Sequence, residues 1–308
     1  MQLGMIIGSP RANFSQIRSF FGLPIGLFIF SARDKDAAMK NNPSKAYADA
    51  DFLNSPDARP IRVQCELIEP DVRFRENQVE NTIVIFGSAR SRDSSEARKD
   101  LDEFLESISP DPDQRSEEER AEILKKERTV KLSRYYDEAV ELSEKLTAWS
   151  EKKEQPDDKY LICSGGGPGM MEAANRGASQ ANGKSVALGI SLPFEQGVNS
   201  YATPELSFEF HYFFIRKFYF LYHAKAIVVF PGGFGTMDEL FETLTLVQTK
   251  KLDKRLPVFL YGRDFWDGLI NFEQFVEWAV ISPSDLDLFK KVDGVEEAFR
   301  LITESLST

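Results

Sequence analysis

Residues 226–240 read Ala226-Ile-Val-Val-Phe-Pro-Gly-Gly-Phe-Gly-Thr-Met-Asp-Glu-Leu240, and this stretch decides the fold. Ala226–Phe230 is an apolar run of the length of a buried strand, and Leu240, Phe241, Leu244 and Val247 then recur at helical spacing. The glycines between them make a tight strand-to-helix turn, whose free amides lie at the positive end of a helix dipole. Such a turn takes a phosphate. Glu239 sits beside whatever the turn anchors.

The pattern recurs upstream. Asn81-Thr-Ile-Val-Ile-Phe86 reads as a strand running into Gly87-Ser-Ala-Arg90. Tyr160-Leu-Ile-Cys163 runs into Gly165-Gly-Gly-Pro-Gly169 and a helix from Met170, closed by an αL cap at Asn182-Gly183. Ser185–Ile190 and Leu256–Tyr261 read as further strands. Apolar residues from Leu132 to Trp149 fall at amphipathic-helix spacing, and Gln155-Pro-Asp-Asp158 ends that helix. The aromatic segment Phe208–Tyr222 reads as one long helix leading into Ala226, and two helices fill most of 264–306. Strands and helices alternating in this way give an α/β fold, a parallel sheet covered on both faces. Ligands of such sheets bind at the carboxyl ends of the strands, where all three glycine-bearing turns fall.

Three regions are expected along the chain. Residues 1–38 form an N-terminal extension, basic and apolar, with the run Phe20–Phe30 of signal-peptide length and too short to span a bilayer comfortably. A secretory signal and an over-extended reading frame whose true start is Met39 both fit it, and the downstream chain favours the second. Residues 39–80 read as short helices and turns packing on the core. Residues 81–308 form the main domain, with a highly charged helical insertion at 91–128 around Ser109-Pro-Asp-Pro-Asp113.

Composition excludes several classes. A net charge of −11 over 308 residues argues against nucleic acid and anionic membranes as partners. Cys65 and Cys163 have no metal or redox spacing, which favours the cytoplasm, and His211 and His223 are too few for a histidine-based metal site. Neither a metal nor a cofactor is expected. Pyridoxal phosphate chemistry needs a Schiff-base lysine with a partner for the ring nitrogen, and no lysine stands at a strand end in such a setting. Lys217 is the one candidate, and the adjacent Arg216 suits it to anion binding instead.

Each motif has a plain structural reading beside the functional one. Gly165–Gly169 is neither a GxGxxG fingerprint nor a Walker loop, and its glycines can serve close packing alone. Thr236-Met-Asp-Glu239 has the form of a capping box, with Thr236 as cap and Glu239 reaching back to it. A plain cap does not need the preceding Pro-Gly-Gly-Phe-Gly, however. Arg216 and Lys217, set among phenylalanines, either reach out to the surface or pair with a ligand anion.

Taken together, Pro231-Gly-Gly-Phe-Gly-Thr-Met-Asp-Glu239, the Arg216-Lys217 pair and Gly165-Gly-Gly-Pro-Gly-Met-Met-Glu-Ala-Ala174 resemble the LONELY GUY (LOG) family, whose members are often mislabelled lysine decarboxylases. The resemblance covers roughly residues 75–305, and the pattern PGGxGTxxE is met in full. It implies a Rossmann-like, doubly wound sheet and hydrolysis of the N-glycosidic bond of nucleoside 5′-monophosphates, AMP-like or cytokinin nucleotides, to free base and ribose 5-phosphate. Arg216 and Glu239 would be the catalytic pair. Gly87, Ser88, Gly166, Gly167, Glu195, Lys217, Gly232, Gly233, Gly235, Thr236 and Thr245 would line the substrate site. Phe213-Phe-Ile215 stands where shorter plant-type members carry Met-His near the base, which leaves the preferred base open. The family also implies a homodimer, in keeping with the apolar surface of 208–222. A non-catalytic nucleotide- or cofactor-binding carrier built on the same fold is the alternative.

Overall fold

The computed structural model describes residues 43–192, 197–252 and 254–307. The expected extension at 1–38 lies outside the described residues. The chain divides into two compact units, Met1–Cys65 and Glu66–Thr308. In the first, helix α1 (Ala50–Asn54) is capped by Asp49, whose carboxylate accepts the Phe52 N–H. The Arg62 guanidinium donates to the Leu53 and Ser55 carbonyls and closes the segment behind α1. Helix α2 (Arg59–Glu76) follows and runs 18 residues with Pro70 inside it. The sequence reading made this region short helices and turns. A proline removes one helical bond, and here that loss does not end the helix.

The second unit holds a seven-stranded, wholly parallel sheet in the order β4-β3-β2-β1-β5-β6-β7. Its strands are β1 (Asn81–Phe86), β2 (Tyr160–Ser164), β3 (Ser185–Ile190), β4 (Ser207–Phe210), β5 (Ala224–Val229), β6 (Val258–Tyr261) and β7 (Phe289–Val292). Helices α3 (Ser94–Ser107), α4 (Glu117–Glu151), α5 (Met170–Gln180), α6 (Phe213–Tyr222), α7 (Phe234–Gln248), α8 (Arg263–Leu269), α9 (Phe272–Glu277) and α10 (Val295–Leu306) complete it. This is the α/β, Rossmann-like doubly wound architecture. Its central strands β1 and β5 are buried almost end to end, as strands covered on both faces must be. Strand order reverses between β1 and β5, and that switch point is where the Pro231-Gly-Gly turn emerges. Among the described residues, no helix is long and apolar enough to cross a membrane.

Besides the stretch 264–306, read as two helices but holding α8, α9, the edge strand β7 and α10, two elements differ from the sequence reading. The segment read as one aromatic helix is an edge strand, β4, followed by the shorter α6. Phe208 and Phe210 are buried while Ser207 and Glu209, which alternate with them, are not, a strand's period of two within a run too aromatic to show it. The Glu66 carboxylate then accepts the N–H groups of both His211 and Tyr212 and separates strand from helix. The second difference is α4, which begins at Glu117 rather than near Leu132 and runs 35 residues. A capping box starts it: Glu119 N–H donates to Ser116 Oγ, and Ser116 N–H donates to the Glu119 carboxylate. The charged 91–128 stretch therefore holds α3 and then the solvated start of α4, whose second half buries Tyr135, Tyr136, Ala139, Leu142 and Leu146.

Helix α4 packs on α5 at very close range. A Cβ on Gly177 would lie 2.1 Å from the Val140 carbonyl oxygen, which is backbone and cannot swing aside. Gly177→Ala gains about 1 kcal/mol of helix propensity but must push two helices apart, an overpacking cost of about 1–3 kcal/mol. The variant should be less stable by urea unfolding; equal or greater stability would mean the α4–α5 contact is loose.

Candidate functional site

The three glycine-bearing turns at the strand ends are joined through their backbones. Phe230 N–H donates to the Phe86 carbonyl at 2.8 Å, continuing the β1–β5 ladder past its last residue. Ser88 N–H donates to the Pro231 carbonyl at 3.0 Å, and Met170 N–H donates to the Ser88 carbonyl at 2.9 Å. Gly87 and Ser88, the start of α5 and the Pro231-Gly-Gly turn thus form one rim over the switch point. Gly166 and Gly167 lie in the turn on the neighbouring strand.

Helix α7 begins at Phe234, with Gly233 as its N-cap and no side chain capping it. The capping-box reading of Thr236 and Glu239 is thereby overturned. The helix has already started before Thr236, so Thr236 is in its first turn and Glu239 in its second. Thr236 is instead packed under the turn, and a Cβ on Gly232 would fall 2.1 Å from its Oγ1. Only glycine at 232 lets the chain pass so close. The opening amides of α7 are left without intrahelical acceptors at Gly233, Gly235 and their neighbours, the geometry that binds anions.

Glu239 is 7% exposed. Its Oε1 lies 3.7 Å from Nη2 of Arg216, which α6 carries across from α7. The Arg216 guanidinium is flanked by the rings of Phe213 and Phe220, at 5.2 and 5.5 Å. The next residue, Lys217, bonds Asp238 and Glu242, each at 2.7 Å. Burial pushes the Glu239 carboxyl up to about 7, against the opposing pull of Lys217 and Arg216. Burial pulls the Lys217 ammonium down, but its bonds to Asp238 and Glu242 outweigh this and hold it above its ordinary range.

An open groove of about 520 Å³ runs along α7, lined by Lys217, Phe234, Met237, Asp238, Phe241, Glu242 and Thr245. Of the residues expected at the site, the structure brings Arg216 to Glu239 and sets Lys217 and Thr245 on this groove. Thr245 turns its hydroxyl back on the Phe241 carbonyl. Glu195 lies outside the described residues. Asp238 and Glu242 were missed as partners of Lys217, although their spacing of four on one helix puts them on one face. The polar residues behind the Gly166–Gly167 turn, Ser164, Asn175 and Asn199, were missed as well, since they are far apart in sequence. Among the described residues, no group of three or more His, Cys, Asp or Glu is placed to hold a metal ion.

A family model described as possible lysine decarboxylase matches residues 171–302. The chain is 28% identical over 180 residues to the cytokinin riboside 5′-monophosphate phosphoribohydrolase LOG3 of Arabidopsis thaliana, covering 56% of this chain and 77% of that one. It is 27% identical over 151 residues to the probable cytokinin riboside 5′-monophosphate phosphoribohydrolase LOG4 of Oryza sativa subsp. japonica, covering 47% of this chain and 63% of the relative, just under two thirds. Among solved structures, the molybdenum cofactor binding protein of Rippkaea orientalis aligns at 19% identity over 55% of this chain and 86% of that one, with a TM-score of 0.39. The matched segment spans both α6 and α7, which carry the Arg216–Glu239 pair, and together with the curated relatives it supports the resemblance to the LONELY GUY (LOG) family.

Proposed function

We propose that this protein hydrolyses the N-glycosidic bond of nucleoside 5′-monophosphates, releasing the base and ribose 5-phosphate. The observation that carries the reading is the buried Glu239 carboxyl facing Arg216, one turn along a helix whose N-terminus is uncapped at the switch point. The names of the plant relatives support the same substrate class.

The phosphate docks on the opening amides of α7, with Gly232, Gly233, Gly235 and Thr236 shaping the turn, and Gly87, Ser88, Gly166 and Gly167 closing the rim. Anchoring there spends binding energy on placing the ribose. Breaking the C–N bond leaves positive charge on the sugar and negative charge on the departing base. The ionised Glu239 stabilises the cation and takes a proton from the attacking water. Arg216 holds Glu239 and the ribose in register, and Lys217 and Thr245 face the nucleotide from the groove. No metal or redox group is needed for this chemistry. Phe213, Phe214, Phe218 and Tyr222 on α6, with Phe234 and Phe241 on α7, form an exposed aromatic surface beside the groove. A second copy of the chain covers it, giving a homodimer that works in the cytoplasm.

Incubation with AMP, CMP, GMP and isopentenyl-AMP, followed by chromatography, should show free base. Tight binding with no base released would make the protein a carrier instead. Glu239→Gln and Arg216→Ala should each lower kcat about 100-fold or more with the fold retained; near-normal turnover in both removes them from catalysis. Because Glu239 acts ionised, wild-type activity should rise with pH to a half-maximum near 7, a limb missing in Glu239→Gln. Sedimentation should give a dimer, and Phe214→Glu a monomer; a wild-type monomer at micromolar concentration contradicts the interface.

Stability offers a check independent of turnover. The Glu239 carboxyl is raised from 4.5 to about 7 on folding, so the native state holds its proton more tightly than the unfolded chain. That contribution is fully present below about 4.5 and lost as pH rises through about 7. Relative to wild type, Glu239→Gln should therefore gain stability across this window, reaching about 3 kcal/mol above it. A pH-independent difference in urea unfolding would mean that Glu239 is not buried as described.

A further inference from the structure

The turn after β2 is held by a polar network that no motif in the chain advertises. Asn199 grips it from the loop after β3: its backbone N–H donates to the Gly166 carbonyl at 2.7 Å, and its Nδ2 donates to the same carbonyl at 2.9 Å and to the Gly167 carbonyl at 3.3 Å. Nδ2 also lies 3.0 Å from Oδ1 of Asn175, which is fully buried on α5. That Oδ1 accepts from Ser164 Oγ at 2.7 Å, and Ser164 Oγ accepts the Gly166 N–H at 3.1 Å. Asn175 is itself pinned by donating to Ser185 Oγ and the Val186 carbonyl on β3.

The consequence follows from peptide geometry. In a trans peptide the carbonyl and the following N–H point in opposite directions, and no peptide bond among the described residues is cis. With the Gly166 carbonyl turned onto two Asn199 donors, the Gly167 N–H points away from the Asn199 loop. Among the described residues it has no acceptor, although Gly167 is buried. A buried amide left unpaired is costly, and an amide whose carbonyl partner is doubly bonded is a stronger donor. The next residue, Pro168, has no N–H to offer beside it. The Gly166 N–H is already taken by Ser164.

We propose that Asn199 is a positioning residue of the nucleotide site: by holding the Gly166 and Gly167 carbonyls, it aims the Gly167 N–H at an oxygen of the bound nucleotide. This rests on the hydrolase reading above and adds to it a residue from outside the motifs. Asn199 does not touch the reacting atoms, so its loss weakens binding in ground and transition states alike and raises KM more than it lowers kcat.

The test compares wild type, Asn199→Ala and Asn199→Asp by base release from AMP and by calorimetric titration with AMP. Asn199→Asp keeps the acceptor that Oδ1 offers the Tyr201 N–H, and so keeps the local turn, but its side chain cannot donate to either glycine carbonyl, leaving only the backbone N–H on Gly166. Asn199→Ala removes the side-chain donor without adding charge. Both should raise KM and Kd for AMP about 10- to 100-fold while kcat stays within about 3-fold of wild type. Wild-type KM and Kd in the alanine variant overturn the proposal. So does a fall in kcat with KM unchanged, which marks a purely structural role, or an aspartate variant that binds AMP normally. Should wild type bind AMP without releasing base, the hydrolase reading fails alone, and the Kd values still decide on Asn199. Should wild type not bind AMP, both fall.

Discussion

The candidate site depends on the pairing of β1 with β5. Parallel strands need long crossovers, so a sheet that starts in its middle and is wound outward in both directions leaves one place where consecutive turns diverge. Here the β1–β5 ladder continues past the strands, through Phe230 to Phe86 and Ser88 to Pro231. The glycine turn opening α7 is therefore held by the sheet rather than by its own loop. Packing beneath it is equally tight, with Thr236 filling the space against Gly232.

Charge is then placed on that frame at a cost. Arg216 and Glu239 are both largely buried, and their closest approach is 3.7 Å, longer than a good charge-assisted bond. Burying two ions repays its desolvation cost only with excellent geometry, so this pair is a poor source of stability. What it supplies is a carboxyl that burial raises to about 7, one turn along α7 from its uncapped N-terminus. Lys217, by contrast, is fully engaged with Asp238 and Glu242, which hold it on the groove beside the Arg216–Glu239 pair. Perturbed carboxyls in such surroundings are where function concentrates.

Much of this was legible along the chain, and what was missed has identifiable causes. The strands at 81–86, 160–164, 185–190 and 224–229 announce themselves because strands buried on both faces are continuously apolar. Edge strand β4 did not, because an aromatic run hides period two inside what also fits a helix, and the group that divides it, Glu66, is contributed by a distant helix. The early start of α4 was signalled locally by Ser116-Glu-Glu-Glu119 but masked by high charge. The spurious capping box shows the opposite error. Thr236 and Glu239 have the right identities and spacing, yet the helix had already begun, since a glycine turn held by the sheet needs no side chain to start it.

Local sequence therefore determined most of the strands and helices, and where glycines make the strand-to-helix turns, because those properties follow from periodicity and from the conformations each residue allows. It also named Arg216 and Glu239, through motifs that are each contiguous in the chain. Only the tertiary structure decided that these two face each other, that Lys217 is held by Asp238 and Glu242, and that Asn199 grips the Gly166–Gly167 turn. Burial, electrostatic coupling and hydrogen bonding act through space, between residues that only the wound sheet brings within a few ångströms of one another.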